Sequence, residues 1–283
     1  MLHVSSSDDT SIALHHLGGD GPPLLLAHAT GFCGSVWTPF ARQLSQHFSC
    51  WALDFRGHGH SSAPRNDNYD WSGTADDVVA VVRAIREHTG VEAPLHACGH
   101  SMGGAALMLA QLQQSSTFAA IWTYEPIVIP PTIRREGPNV LSQGALRRRR
   151  NFANIDQAYE NYSSKPPLNT FDAEALRCYV TDGLVETESG DMTLACTPEH
   201  EAQIYQMGGR HHAWDHLSSL ELPIAICRGA VEPFSPSDFA PQIADRLGRA
   251  TLIDMAPLGH FGPLEDPRRT AQHALEWFAP HDI

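Results

Sequence analysis

Lysine is almost missing from this 283-residue chain: Lys165 is the only one, so arginine carries nearly all the positive charge. Positive charge is itself scarce, with 19 Lys and Arg against 32 Asp and Glu and a formal net charge of -13. Such a surface repels phosphate backbones and anionic headgroups, which argues against nucleic-acid or membrane-surface partners and favours solubility. No stretch approaches the run of about 18 apolar residues that a membrane span needs. Residues 1–19 lack the basic stretch and apolar core of a secretory leader, so the chain reads as cytoplasmic. Six cysteines, Cys33, Cys50, Cys98, Cys178, Cys196 and Cys227, lie far apart without a C-x-x-C pair. That excludes a dense disulfide framework and a zinc site of that spacing, and leaves several of them as small apolar core residues. No internal repeat or low-complexity tract is present.

What is present is an alternation of buried-strand and helix patterns. "PPLLLAHATGF" is a continuous apolar run ending in a Gly-containing loop, as suits a strand covered on both faces. "VWTPFARQLSQHF" has helical spacing, and "SCWALDFRGHG" returns to a strand and a glycine turn. "WSGTADDVVAVVRAIREHTG" reads as a helix capped by Thr74 with Asp77 three residues on, and stopped by Gly90. "PLHACG", "GGAALMLAQLQQ" and "FAAIWTYEP" follow as strand, helix and strand. This is the rhythm of a parallel α/β sheet.

The rhythm breaks over residues 127–214, where "LSQGALRRRRNF", "NIDQAYENY", "DAEALRCYVTDGL" and "PEHEAQIYQMGG" read as separate helices. It resumes with the strand "LPIAICRGA", the helix "PSDFAPQIADRLG", the strand "ATLIDMAP" and the closing helix "RRTAQHALEWF". The expected organisation is an α/β core of residues 1–126 and 215–283, with a helical cap of residues 127–214 inserted in it.

Gly99-His100-Ser101-Met102-Gly103 satisfies G-x-S-x-G between a strand and a helix, the context that makes this pattern a nucleophile elbow. Glycines two residues to either side of the serine are required because a Cβ there would meet the neighbouring strand or helix. The turn exposes the Ser101 hydroxyl above the C-terminal edge of the sheet, and it aims the Met102 N–H toward a developing oxyanion. His260, in "APLGHFGPLEDP" between the last strand and the closing helix, is the candidate base.

Four pieces, "LLLAHATGF", "DFRGHGHS", "GHSMGG" and "GHFGPLEDP", make the chain resemble the α/β-hydrolase superfamily. The resemblance implies an eight-stranded, mostly parallel sheet with helices on both faces, a cap inserted after strand 6, and a nucleophile–acid–histidine triad in chain order. It assigns Ser101 as nucleophile, His260 as base and Glu232 as acid, a glutamate where relatives usually carry aspartate. Glu125 after the sixth strand and Asp238 beyond Glu232 are the rival acids. Thr30 matches the second oxyanion donor, although Ala29 stands where many relatives have glycine. His28, Phe32, Trp37 and Trp214 are candidate pocket residues, His28 rather as a brace of its loop. Asp54, His58 and His60 have a spacing that a metal would accept, but this turn recurs in metal-free relatives, so neither a metal nor a cofactor is implied.

Arg147–Arg150, with Arg134 and Arg135 upstream, form the one basic island. They either meet an anionic substrate under the cap or are solvated and paired with acids. The expected activity is hydrolysis of a carboxylic ester or lactone, of medium size and partly apolar, through an acyl-enzyme on Ser101. The alternatives are a carbon–carbon bond hydrolase acting on ring-cleavage diketones, peracid-forming perhydrolase chemistry with the same triad, and a non-hydrolytic ligand-binding protein of the same fold.

Overall fold

The computed structural model describes residues 1–134 and 139–281; Arg135 of the basic island lies outside them. The chain runs through β1 (Leu2–Ser5), β2 (Ser11–Gly18), β3 (Pro23–Ala27), α1 (Thr38–Leu44), β4 (Ser49–Leu53), α2 (Trp71–Thr89), β5 (Leu95–His100), α3 (Met102–Gln113) and β6 (Phe118–Tyr124). Between β6 and the next strand of the same sheet come α4 (Val140–Ala145), β7 (Asn151–Phe152), α5 (Ile155–Ser163), α6 (Ala173–Asp182), β8 (Leu184–Glu186), β9 (Met192–Leu194), α7 (Pro198–Met207) and α8 (Ala213–His216). The chain closes with β10 (Ile224–Arg228), α9 (Pro236–Arg246), β11 (Ala250–Asp254), α10 (Gly262–Glu265) and α11 (Pro267–Phe278).

Eight strands form one sheet in the order β1-β2-β4-β3-β5-β6-β10-β11. Only β1 and β2 run antiparallel to their neighbours; the rest is parallel. The fold is thus the expected mostly parallel eight-stranded α/β-hydrolase sheet. Every residue of β3, β4 and β5 is buried, as the unalternating apolar runs require of strands covered on both faces.

Two local expectations are corrected. Helix α2 starts at Trp71, capped by Asp70, whose side chain accepts from the Ser72 amide. Thr74 lies inside the first turn, where its hydroxyl donates to the Trp71 carbonyl, and Asp77 is claimed by Arg56 rather than by a helix end. Gly90 does stop α2, in the left-handed conformation at φ 71°. The arginine run is not helical, because α4 ends at Ala145 and the chain enters β7. A small antiparallel sheet, β7-β9-β8, therefore accompanies the helices of residues 127–214. Described residues of this stretch share the main core. Phe152, Leu176 and Tyr179 lie in the same continuous buried cluster as Phe40, Trp122 and Phe278 on one face of the main sheet.

Candidate active site

Ser101 sits between β5 and α3 with φ 55° and ψ −114°, a conformation that an L residue adopts only when its surroundings hold it there. The flanking glycines make it feasible. A Cβ on Gly103 would lie 2.2 Å from the Ala27 carbonyl oxygen, and one on Gly99 would lie 2.7 Å from the backbone of Gly104. The Ser101 amide donates to the Tyr124 carbonyl at 2.9 Å, and its own carbonyl accepts from Ile127 at 3.2 Å.

The strand register brings the rest together. His100 of β5 pairs with Tyr124 of β6, so the residues that follow them, Ser101 and Glu125, leave neighbouring strands at the same edge. Glu125 is buried, and like Ser101 it has a positive φ, 44°. One carboxylate oxygen accepts from the Gly229 amide at 2.8 Å, and the other meets His260 Nδ1 at 2.6 Å.

Glu125 and not Glu232 is therefore the carboxylate at His260. The end of β10 is tied to the histidine loop by Ala230 N–H donating to the Leu258 carbonyl at 2.7 Å, and the chain then turns outward. Glu232 is exposed in that turn. Asp238, the other rival, is exposed as well and accepts from the Phe234 amide at 3.0 Å.

The histidine loop has further anchors that sequence reasoning missed. Tyr124 donates its hydroxyl to the Gly259 carbonyl at 2.8 Å, Gly259 N–H donates to Glu265 at 2.8 Å, and His100 Nε2 reaches the His260 carbonyl at 2.8 Å. Burial, then the neighbouring His260, holds the His100 imidazole well below its ordinary pKa, so the ring is neutral. The available signal was position: Tyr124 and His100 immediately precede Glu125 and Ser101 in buried strands.

Thr30 and Met102, whose amides were assigned to the oxyanion, are both buried and in contact, the Thr30 hydroxyl lying 3.3 Å from Met102 Sδ. Among the pocket candidates, Phe32 joins an aromatic wall with Phe171, Tyr179 and Phe261, and Phe261 stands 5.1 Å, ring to ring, from His260. Two candidates are corrected. Trp37 is buried edge-on against Phe40, because its ring is needed to fill the core beneath α1. Trp214 packs on the opposite face of the sheet, under the guanidinium of Arg246. His28 is wholly buried and hydrogen-bonded on both ring nitrogens.

In "DFRGHGHS" the polar side chains brace the turn and tie it to the segments around it. Asp54 accepts from His15 at 2.9 Å, from the Gly34 amide at 2.6 Å and from the His60 amide at 2.8 Å, while His58 Nε2 accepts from the Gly31 amide. Arg56 is held by Asp77 and Asp8. In the basic island, Arg150 pairs with Glu199, and Arg149 lies over the Phe152 ring and donates to Gln157. Arg148 points inward to Glu201 at 2.5 Å, with Tyr162 and Tyr179 at 3.1 and 2.5 Å. This ion pair lies against the loop after β3: a Cβ on Gly31 would come within 2.7 Å of Glu201.

A family model described as the alpha/beta hydrolase family matches residues 24–273. An (E)-2-((N-methylformamido)methylene)succinate hydrolase of Acinetobacter baylyi is 22% identical over 259 residues, which are 92% of this chain and 91% of that protein. The crystal structure of an E-2-(acetamidomethylene)succinate hydrolase superposes with a TM-score of 0.80 at 19% identity, covering 98% of each chain. An enol-lactonase from Burkholderia xenovorans superposes with a TM-score of 0.70 at 17% identity, covering 98% of this chain and 99% of that one.

Proposed function

This chain belongs to the alpha/beta hydrolase family, and on that premise we propose that it hydrolyses a carboxylic ester or lactone through an acyl-enzyme on Ser101. One observation carries the reading: His260 and Glu125 are joined at 2.6 Å beside the elbow that presents Ser101. Ser101 Oγ attacks the carbonyl carbon as His260 Nε2 takes its proton. The oxyanion accepts from the amides of Met102 and Thr30, and Glu125 stabilises the imidazolium through Nδ1. His260 then protonates the departing alkoxide. A water molecule, deprotonated by the same nitrogen, attacks the acyl-enzyme and frees the acid.

Residues 127–214 act as a cap over this centre. The aromatic wall of Phe32, Phe171 and Phe261 suits a partly apolar acyl group. The enol-lactonase of the same fold supports the lactone reading. Among the described residues no helix is long and apolar enough to cross a membrane.

A second reading keeps the machinery and changes the bond to the C–N bond of a small acylated enamine. It is favoured by the end-to-end similarity to the succinate-derivative hydrolase of Acinetobacter baylyi.

The test is hydrolysis of p-nitrophenyl esters from C2 to C12, of lactones and of N-acyl enamines by the wild type and by Ser101→Ala, with fluorophosphonate labelling in parallel. Labelling and turnover that both vanish in Ser101→Ala are the expected result. A wild type that neither labels nor turns over any of these would overturn the reading in favour of a ligand-binding role.

A further inference from the structure

Two consecutive peptide planes in the loop after β3 are each held by a buried histidine of defined tautomer, and we propose that His28 and His58 clamp this loop so that the Thr30 amide faces the oxyanion. The inference rests on the reading above, in which Thr30 N–H is one of the two oxyanion donors.

His28 Nε2 lies 3.0 Å from the Phe55 amide, and Nδ1 lies 2.7 Å from the Ala29 carbonyl oxygen. An amide N–H can only donate, so Nε2 is the acceptor and the ring proton is on Nδ1, donated to Ala29 O. The C=O and N–H of a trans peptide point in opposite directions. Drawing the Ala29 carbonyl inward onto His28 therefore turns the N–H of that same peptide, which belongs to Thr30, the other way. The Ala29 carbonyl also accepts from Phe32 N–H at 3.2 Å. Two donors on the oxygen polarise the amide and strengthen its N–H as a donor.

The next peptide is held by its other end. The Gly31 amide donates to His58 Nε2 at 3.0 Å, so the His58 proton is on Nδ1 and goes to the Arg56 carbonyl, also at 3.0 Å. Gly31 takes φ 83°, which lets the chain reverse between the two anchors. The imidazoles stand 5.0 Å apart at 65°, edge to face. Burial is the main cause that lowers their pKa values, to about 4 for His28 and about 3 for His58, so both are neutral and keep these tautomers at neutral pH. Neither ring is offered to substrate. Both are positioning residues, acting through the backbone that touches it.

The discriminating pair is His58→Asn and His58→Gln. Asparagine ends near the place of Nδ1, so it keeps the Arg56 contact and cannot reach Gly31; glutamine places an acceptor near Nε2. With rates normalised to Ser101 titrated by fluorophosphonate, His58→Asn should lose about 10- to 100-fold in kcat at nearly unchanged KM, and His58→Gln should recover most of that. Affinity for a trifluoromethyl ketone, which forms a tetrahedral adduct with the serine, should fall by the same factor as kcat/KM. Two results overturn the clamp in an active wild type: an unchanged kcat in His58→Asn, or equal losses in both variants. A wild type that neither labels nor turns over substrate removes the underlying reading and the clamp with it. Should His58→Asn fail to fold, the wild type itself gives a test by NMR. Binding of the ketone should move the Thr30 and Met102 amide protons downfield and leave that of Gly31, committed to His58, in place; the reverse pattern overturns the clamp.

Discussion

His260 Nδ1 and Glu125 Oε2 stand 2.6 Å apart, joining the loop after β11 to the end of β6, while the loop after β10 contributes to this contact only the Gly229 amide that holds Glu125. The buried carboxylate has two donors and no water-facing side, so its orientation is fixed before any substrate arrives.

Glu125→Gln should consequently lower kcat by about 10³- to 10⁴-fold, the loss expected when the acid of such a triad becomes an amide and no longer stabilises the imidazolium. Glu232→Gln, at an exposed position, should change kcat by no more than about twofold. Steady-state kinetics of the two variants side by side decide the assignment. A severe loss in Glu232→Gln with an active Glu125→Gln would reverse it.

The elbow glycines differ sharply from the surface ones. Gly103→Ala drives a methyl to 2.2 Å from the Ala27 carbonyl oxygen, a backbone atom that cannot swing aside. A destabilisation of at least about 1–3 kcal/mol is expected, visible as a lower urea midpoint. Gly144→Ala, in α4 with nothing within 4 Å of the new methyl, should raise the midpoint by about 0.5–1 kcal/mol of stability.

Four buried histidines make stability sensitive to acid. Burial lowers His28 and His211 to about 4, His58 to about 3, and His100 well below its ordinary value. An unfolded histidine takes up its proton near pH 6.5, and these folded ones do not until much lower. Their contribution is thus complete above about pH 6.5 and is lost as the pH falls from there toward 4, by at most about 1.4 kcal/mol per pH unit for each ring. Calorimetric Tm values should fall steadily from pH 7 to 5 at constant ionic strength; a flat profile would contradict the assignment.

Arg148 and Glu201 form an ion pair whose carboxylate is nearly inaccessible to water, with two tyrosine hydroxyls on the same guanidinium. Arg148→Met strands that carboxylate and should cost roughly 3–5 kcal/mol. Arg148→Met combined with Glu201→Leu should recover most of the loss, measured as a coupling energy in a double-mutant cycle by urea denaturation. Additive costs would mean that the two side chains do not depend on one another.

The chain's periodicities carried the fold because β3, β4 and β5 are buried on both faces and their runs are uninterrupted. The turns that carry Ser101 and His260 were legible for a similar reason, since the glycines around them stand where a Cβ would collide. The carboxylate was not. Glu125 and Glu232 both follow a strand and precede a proline, and what separates them is the His100–Tyr124 register and the Ala230–Leu258 hydrogen bond, neither of which is a local property. The two-residue β7 was likewise hidden, because Asn151 and Phe152 extend only through their pairing with Thr193 and Met192.

Because the carboxylate next to His260 directly follows β6, the turn at residues 231–234 lies outside that contact. All four of its residues are exposed, Phe234 and Val231 among them. The turn is held from within, the Glu232 carbonyl accepting from Ser235 and the Phe234 amide donating to Asp238, so a label or a change of charge on its exposed side chains should leave the Glu125–His260 contact intact.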